Sequence, residues 1–394
     1  MQGHRLRTFA GAAFFIAAAS LALATSCNRG QAERPTPDQV ISSQEESFAI
    51  QVIAEELEHP WALAFLPGGD EALITERPGR LSRVDLQSGE ITQLGGVPQV
   101  AASGQGGLLD VALHPDFEST GWVYLTYAAA EPDGSGAATH LGRGRLQDDA
   151  LVDFEVLFVA EPFVSGGRHF GSRIAFDDEG TLFMSVGDRG ERDRSQERSN
   201  AIGTTLRLAD DGAIPEDNPF VGEEGVEPAI YSYGHRNVQA MAFHPETGRL
   251  WQIEHGPRGG DEINLPESGQ NFGWPLTSYG VEYGSRRSIG PDPHEHEGTV
   301  PPIHHWEDSF APSGAAFYQG DRFENWRGDL FVGSLAQEYL ARLTLRGEAV
   351  ESEERLLEDF GWRVRDVRVG PDGALYLLVD ARDALLVRLV PAQG

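Results

Sequence analysis

A short apolar run, a turn rich in Pro, Asp or Gly, and a second apolar run recur six times along this chain. The copies are WALAFLPGGDEALITER from Trp61, DVALHPDFESTGWVYLTY from Asp110, RIAFDDEGTLFMSVGD from Arg173, AMAFHPETGRLWQIEHG from Ala240, GAAFYQGDRFENWRGDLFVGSL from Gly314 and DVRVGPDGALYLLVD from Asp366. Self-similarity of this kind constrains a fold strongly, because one strand–turn–strand unit cannot bury its apolar face alone and must stack on its neighbours. The copies start about 40 to 75 residues apart, which suits four-stranded blades with loops of unequal length. The pattern predicts an all-β chain folded as a six-bladed β-propeller over residues 48–394. A sandwich of two sheets is the alternative, but repeats favour radial stacking. In a propeller the inner strands converge on one axis, so residues distant in sequence can meet in one site at its end.

Ahead of the repeats, Arg5 and Arg7 precede an apolar stretch from Phe9 to Ala24 that is short for a membrane span. Residues 1–26 are therefore expected to be a lipoprotein-type export signal. The single cysteine, Cys27, follows Ala24, Thr25 and Ser26, an arrangement resembling a lipobox; ordinary cleavage nearby is the plainer alternative. Residues 27–47 are polar and hold Pro35 and Pro37, so a flexible tether is expected there. The expected location is the periplasm or the outer membrane, with membrane contact only through a lipid at Cys27. One cysteine allows no internal disulfide and no cysteine-based metal site, which leaves oxygen or histidine as ligands.

Charge narrows the partners. Sixty-one acidic residues face 31 basic ones, a formal net charge of −30. Such a chain repels nucleic acid phosphates and anionic headgroups, so no nucleic-acid partner is expected. No lysine occurs anywhere, which removes Schiff-base chemistry and phosphate-binding loops that need one.

Polar clusters fall beside the repeats, where propeller loops belong. SGQGGLL, from Ser103, offers the Gln105 amide among glycines that let backbone approach a ligand; a plain turn is the other reading. GGRHFGS carries His169, and Asp188 follows one strand later in SVGD. A histidine oriented by a carboxylate is a standard general base, although a surface His and a turn Asp fit the same spacing. YGHRNVQ sets Arg236 beside Asn237, suited to a carboxylate or a developing oxyanion, or simply a surface arginine. EHGPRGGDEINL, from Glu254, combines turn carbonyls with Asp261 and Glu262, the hard oxygen donors that hold Ca²⁺; a carboxylate-stabilised loop is the alternative. Arg363 and Arg365 in WRVRDV share one face of a strand and can clamp a multiply charged anion, or stand exposed. His294, His296, His304 and His305 sit too loosely in an inserted loop to make a convincing transition-metal site.

Taken together, GHRN, EHGPRGGDEINL and NFGWP closely resemble the soluble dehydrogenases of aldoses and glucose that use pyrroloquinoline quinone (PQQ). GQGGLL with LHPDF, SVGDRG, LRLADDGAIPEDNPF, APSGAAFY and RVRDV follow in the family's order, from about Phe48 to the C-terminus. The resemblance implies a six-bladed propeller that oxidises aldose sugars at C1 to the lactone with PQQ and Ca²⁺, passing electrons to an external quinone or cytochrome. By the same resemblance His169 is the general base, Asp188 orients it, and Arg236 faces the quinone oxygen. Gln105, Asn237, His255, Asp261, Ser309, Arg363 and Arg365 fall at cofactor-contacting positions. Gly256 and Pro257 match carbonyls that hold the catalytic calcium, and Glu262 with the Phe272 carbonyl match a second calcium site. Two departures stand out: Ala336 replaces a cofactor-contacting lysine of glucose-oxidising relatives, and His255 replaces a glutamine, as in the aldose branch. Long dimer-forming insertions are absent, so a monomer with relaxed sugar preference is expected. Competing readings are a non-catalytic calcium-binding propeller at the cell surface and a metal-dependent lactonase; the second leaves Arg363 and Arg365 without a role.

Overall fold

The protein is described here from a computed structural model, over residues 32–36, 39–291 and 294–392. The expected signal and Cys27 lie outside the described residues. Among the described residues, twenty-five strands form six antiparallel sheets, five of four strands and one of five. Each sequence repeat supplies the first two strands of one sheet. The first strands are Pro60–Phe65, Leu108–Leu113, Ile174–Phe176, Val238–Phe243, Pro312–Phe317 and Val364–Val369. Each packs against the next, and the last returns to the first, so the six sheets close a ring as the blades of a propeller.

The repeat turns form because Asp and Gly supply what a tight hairpin requires. At Asp177–Thr181 the Asp177 carboxylate accepts the N–H groups of Glu179 and Thr181 at 3.0 and 2.8 Å, while Gly180 takes φ +81°. A β-carbon is disfavoured there. The following strand, Leu182–Val186, is buried along its whole length, as its unbroken apolar run requires of a strand covered on both faces.

Ring closure joins the two ends of the domain. Ser47–Leu57 pairs antiparallel with Ala384–Pro391, setting Phe48 opposite Pro391 and Leu57 opposite Ala384, so the sixth blade takes its fourth strand from the start of the domain. The expected tether is partly structured as well. Val40–Ser42 pairs with Ser47–Ala49 as a fifth strand, and Trp362 donates its indole N–H to the Glu33 carbonyl at 2.8 Å. A polar segment can do this because an edge strand needs a ladder of backbone bonds rather than an apolar face.

Six apolar clusters fill the six seams between blades. The seam between blades three and four is the thinnest, with Phe183, Val238, Met241 and Leu250 as its buried apolar members. Polar bonds make up the difference, among them Gln252 to the Thr205 hydroxyl at 2.6 Å and Ser185 to the Val238 carbonyl at 3.2 Å. Nearer the axis Arg173, 1% exposed, bridges Asp110 and Asp366 at 3.1 and 3.2 Å. The same two carboxylates latch neighbouring blades, accepting the N–H groups of Ile174 and Leu63 at 2.6 and 3.0 Å.

Candidate active site

On the axis lies a chamber of about 280 Å³ to which every blade contributes: Trp61 and Arg77 from the first, Gln105 and Leu109 from the second, Phe170 and Gly171 from the third, Asn237, Gln239 and His255 from the fourth, Ala311, Leu335 and Ala336 from the fifth, and Arg363, Arg365 and Asp380 from the sixth. That size suits one small, flat ligand. Five of the expected cofactor-binding residues, Gln105, Asn237, His255, Arg363 and Arg365, meet here although 260 residues separate the first from the last.

His169 stands at the chamber's edge between Gln105 and Gly171. Its backbone N–H donates to the Gln105 side-chain oxygen at 2.7 Å, and Gln105 in turn donates its own N–H to the Gly167 carbonyl at 2.6 Å. His169 takes φ +54°, a left-handed conformation uncommon outside glycine, which Gly187, packed against its carbonyl, leaves room for. Nδ1 of His169 is 2.6 Å from Asp188 Oδ1, which leaves Nε2 as the nitrogen free for a substrate hydroxyl. The imidazole is 12% exposed and the carboxylate 2%, so the ring is reachable from the chamber and the acid behind it is not.

Asp188 is fixed on both oxygens. Oδ1 also accepts the Gly190 N–H at 2.7 Å, and Oδ2 accepts the Trp274 indole N–H at 2.8 Å. Burial works against its ionisation, but the bond from His169 and the charge of Arg236 outweigh it and hold the carboxyl below its usual range. Burial, with Arg236 and Arg168 nearby, draws the His169 imidazole below its ordinary value despite the Asp188 bond. The dyad is therefore a neutral imidazole on an ionised carboxylate at neutral pH, ready to accept a proton.

Arg236 approaches from the fourth blade. Its guanidinium donates to the His255 carbonyl at 3.2 Å and lies 5.2 Å from the Trp274 ring, and its Nε is buried without a partner. His255 has both nitrogens assigned: Nε2 donates to the Pro312 carbonyl at 2.6 Å and Nδ1 faces the Asn237 amide at 3.4 Å. Burial keeps this imidazole neutral, its pKa drawn down to about 3.

A second cavity, about 10 Å³ and of single-ion size, adjoins the first behind His255. Arg236, Glu254, Gly256, Glu262, Phe272 and Trp274 are among its walls. Glu254 and Glu262 sit directly opposite on paired strands. Glu254 is satisfied by His235, Asn264 and the backbone N–H groups of Arg236 and Asn237. Glu262 has less support: burial and then the Glu254 charge push its carboxyl well above the usual range, against the pull of the Asn264 amide. A buried carboxylate facing a second one fits a divalent cation, which would relieve both.

Two expected cofactor contacts are placed elsewhere. Asp261 is enclosed by three backbone donors, Gly256 N–H at 2.7 Å on one oxygen and Phe310 and Ala311 N–H at 2.6 and 2.7 Å on the other, and burial lifts its carboxyl to about 6. Ser309 accepts the Gly259 N–H at 2.9 Å. Both staple the Gly256–Gly260 turn to the loop before the fifth blade and line neither cavity. The Pro257 carbonyl accepts the Tyr283 hydroxyl at 2.7 Å, which leaves one lone pair free. The histidines of the inserted loop make ring contacts, His305 on Tyr279 at 4.0 Å and His304 across Trp306 at 4.7 Å, and no cluster of three or more His, Cys, Asp or Glu with metal-binding geometry occurs among the described residues.

Sequence reasoning missed Arg77, Trp61, Gln239, Glu254, Trp274 and Asp380. Four of the six repeats carry, among their last three residues, an acid at the end of their second strand or within two residues after it, at Glu76, Asp188, Glu254 and Asp380, so comparing the repeats with each other would have pointed to Glu254 and Asp380.

Six-bladed propellers host hydrolases as well as oxidoreductases, so fold alone does not choose between them. The family does: the model described as Glucose / Sorbosone dehydrogenase matches residues 57–388. The chain belongs to that family and is a sugar dehydrogenase. Among its relatives, the aldose sugar dehydrogenase YliI of Escherichia coli (strain K12) is 44% identical over 344 residues, 87% of this chain and 92% of that protein. A crystal structure of a glucose dehydrogenase superposes with a TM-score of 0.85 at 48% identity, covering 88% of this chain and all of the other. The PQQ-bound form of an aldose sugar dehydrogenase from Streptomyces coelicolor superposes with a TM-score of 0.71 at 30% identity, covering 87% and 98%.

Proposed function

We propose that this protein oxidises aldoses at C1 to the lactone, using PQQ in the axial chamber and Ca²⁺ beside it. The observation that carries this reading is His169, held by Nδ1 on the Asp188 carboxylate at the edge of a chamber lined by Arg363 and Arg365. The two guanidinium groups would hold carboxylates of the cofactor, with Asn237, His255 and Gln105 along its edges. The Gly256 and Pro257 carbonyls would hold one cation, and Glu262 with the Phe272 carbonyl a second. When bound, PQQ supplies the acceptor for the two electrons and proton that leave C1 as hydride, and calcium supplies Lewis acidity beside it. His169 Nε2 takes the C1 hydroxyl proton, and Asp188 stabilises the resulting imidazolium. Arg236 presents positive charge where oxyanion character grows. Trp274 holds Asp188 from the side opposite His169, so the carboxylate cannot rotate away.

Export through the N-terminal signal, an external quinone or cytochrome as acceptor, and a monomeric state complete the proposal. It is tested by adding PQQ and CaCl₂ to the apoprotein with a panel of aldoses and a redox dye. Dye reduction that needs both additions, with lactone as product, is expected. No reduction with any aldose, or lactone hydrolysis without PQQ, would overturn it.

A further inference from the structure

The chamber carries more positive charge than its expected contacts use. Arg363 is already occupied, donating to Asp380 at 3.0 and 3.2 Å and to the Leu335 carbonyl. Arg365 donates to Gln239 at 3.2 Å and lies 3.9 Å from the same Asp380 carboxylate, which also takes His59 at 2.8 Å. Arg77 is the third guanidinium in the wall, and nothing in the sequence resemblance assigned it. Its Nη1 donates to the Gly104 carbonyl at 3.0 Å, its Nε is buried without a partner, and no carboxylate lies within ion-pair distance of it among the described residues. Three guanidinium groups thus face one carboxylate, inside a protein whose net charge is −30. Buried guanidinium N–H groups without acceptors are costly, and such a surplus persists where an anionic ligand completes it.

The position is also fixed. The Arg77 backbone donates to the His59 carbonyl at 3.1 Å and accepts the Leu108 N–H at 3.2 Å, tying the end of the first blade's second strand to its neighbours on both sides. Gly107 packs so closely on the Arg77 carbonyl that an added β-carbon would lie 2.0 Å from it. The fifth-blade wall, Ala311, Leu335 and Ala336, offers no charged side chain.

We infer that Arg77 binds a carboxylate of the cofactor, acting with Arg363 and Arg365 as the third cation for a tricarboxylate and supplying the charge that Ala336 does not. This rests on the proposed use of PQQ, a planar quinone with three carboxylates. The test is direct titration of apoprotein with PQQ in CaCl₂, followed by tryptophan quenching, since Trp61 lines the chamber, and checked by equilibrium dialysis. Arg77→Gln is expected to weaken binding by about 10- to 100-fold, the range of one charge-assisted bond. The dependence of log Kd on log salt should become shallower in this variant, which a merely structural residue would not produce. Arg77→Lys, keeping charge without the fork, should recover part of the loss. Thermal melts in calcium without PQQ should match across all three proteins. Wild-type uptake of PQQ with Arg77→Gln binding within twofold of it, at low and high salt alike, would overturn the inference and leave the proposed function standing. Failure of the wild type itself to take up PQQ would overturn both.

Discussion

Replacing Asp188 with Asn changes almost no volume and removes one charge, so it isolates what the carboxylate does. Three donors converge on Asp188: His169 Nδ1–H and the Gly190 N–H on one oxygen, and the Trp274 indole N–H on the other. An amide has one oxygen. If it faces His169, its NH₂ opposes the indole N–H; if it faces Trp274, its NH₂ opposes two donors and drives His169 into the tautomer with the proton on Nε2. The charge matters as much as the tautomer. Two unit charges about 4 Å apart interact by about 4 kcal/mol at an effective dielectric constant near 20. That stabilisation appears only when His169 is protonated, so its loss falls on the transition state. At 1.36 kcal/mol per decade, kcat should drop by about 10³-fold. Asp188 does not line the chamber, so PQQ affinity should change little. The assay is steady-state aldose oxidation with saturating PQQ and calcium, alongside a PQQ titration. A variant whose kcat stays within tenfold of the wild type, with the cofactor bound, would refute the role of this dyad.

The acid limb of kcat/KM against pH should fall below the ordinary histidine pKa of about 6.5, because burial and Arg236 depress His169 and the base is lost only when the imidazole gains a proton; a limb centred above 6.5 would contradict this. Arg173→Ala should lower stability by about 1–3 kcal/mol, since it removes one of the two guanidinium groups, Arg173 and Arg368, that pair with the buried Asp110 and Asp366; chemical denaturation measures it, and a loss under about 0.5 kcal/mol would argue against the axial network as a latch. Glu262→Gln should stabilise the calcium-free protein by removing its repulsion with Glu254. It should also lose most of the stabilisation that calcium gives the wild type, about 2.7 kcal/mol at one hundred times Kd, in melts with calcium and with a chelator.

The ring was legible because its cause is local. Each repeat carries its own turn chemistry, as at Asp177 and Gly180, and its own buried strand, so all six units could be read without long-range information. The closing strand was less legible: Val40–Ser42 is held by backbone pairing alone, which leaves little trace in side-chain pattern. For the proposed site, the residues that sit in a distinctive local motif, His169, Asp188, Arg236, Asn237 and the Arg363–Arg365 pair, could be singled out in the sequence. Those brought there only by convergence could not. Arg77 and Asp380 each follow an ordinary strand, and what brings both into the chamber is the closure of the ring around it. Asp261 shows the opposite case, a conspicuous acid in a conspicuous loop whose three backbone donors give it a structural task.

The position of the dyad has an energetic logic. Blades three and four share the thinnest apolar seam, and across it the Asp188 N–H donates to the Arg236 carbonyl at 2.8 Å, with Asn237 reaching the chamber beside them. Polar side chains aimed into a site cannot also fill a core, so the lost apolar contact has to be replaced. The replacements are directional: Gln252 to Thr205, Ser185 to Val238, Arg173 to the Gln239 carbonyl at 2.9 Å, and Gly171 N–H to the Asn237 amide oxygen at 3.1 Å. Hydrogen bonds fix register more tightly than interchangeable methyl contacts do. A seam held this way sets the fourth blade against the third through fixed bonds, and the proposed reaction needs that, because His169 and Asp188 come from the third blade and Arg236 from the fourth. Cutting the Gln252–Thr205 bond with Thr205→Val, far from every chamber residue in sequence except through this seam, should therefore lower kcat more than it lowers PQQ affinity.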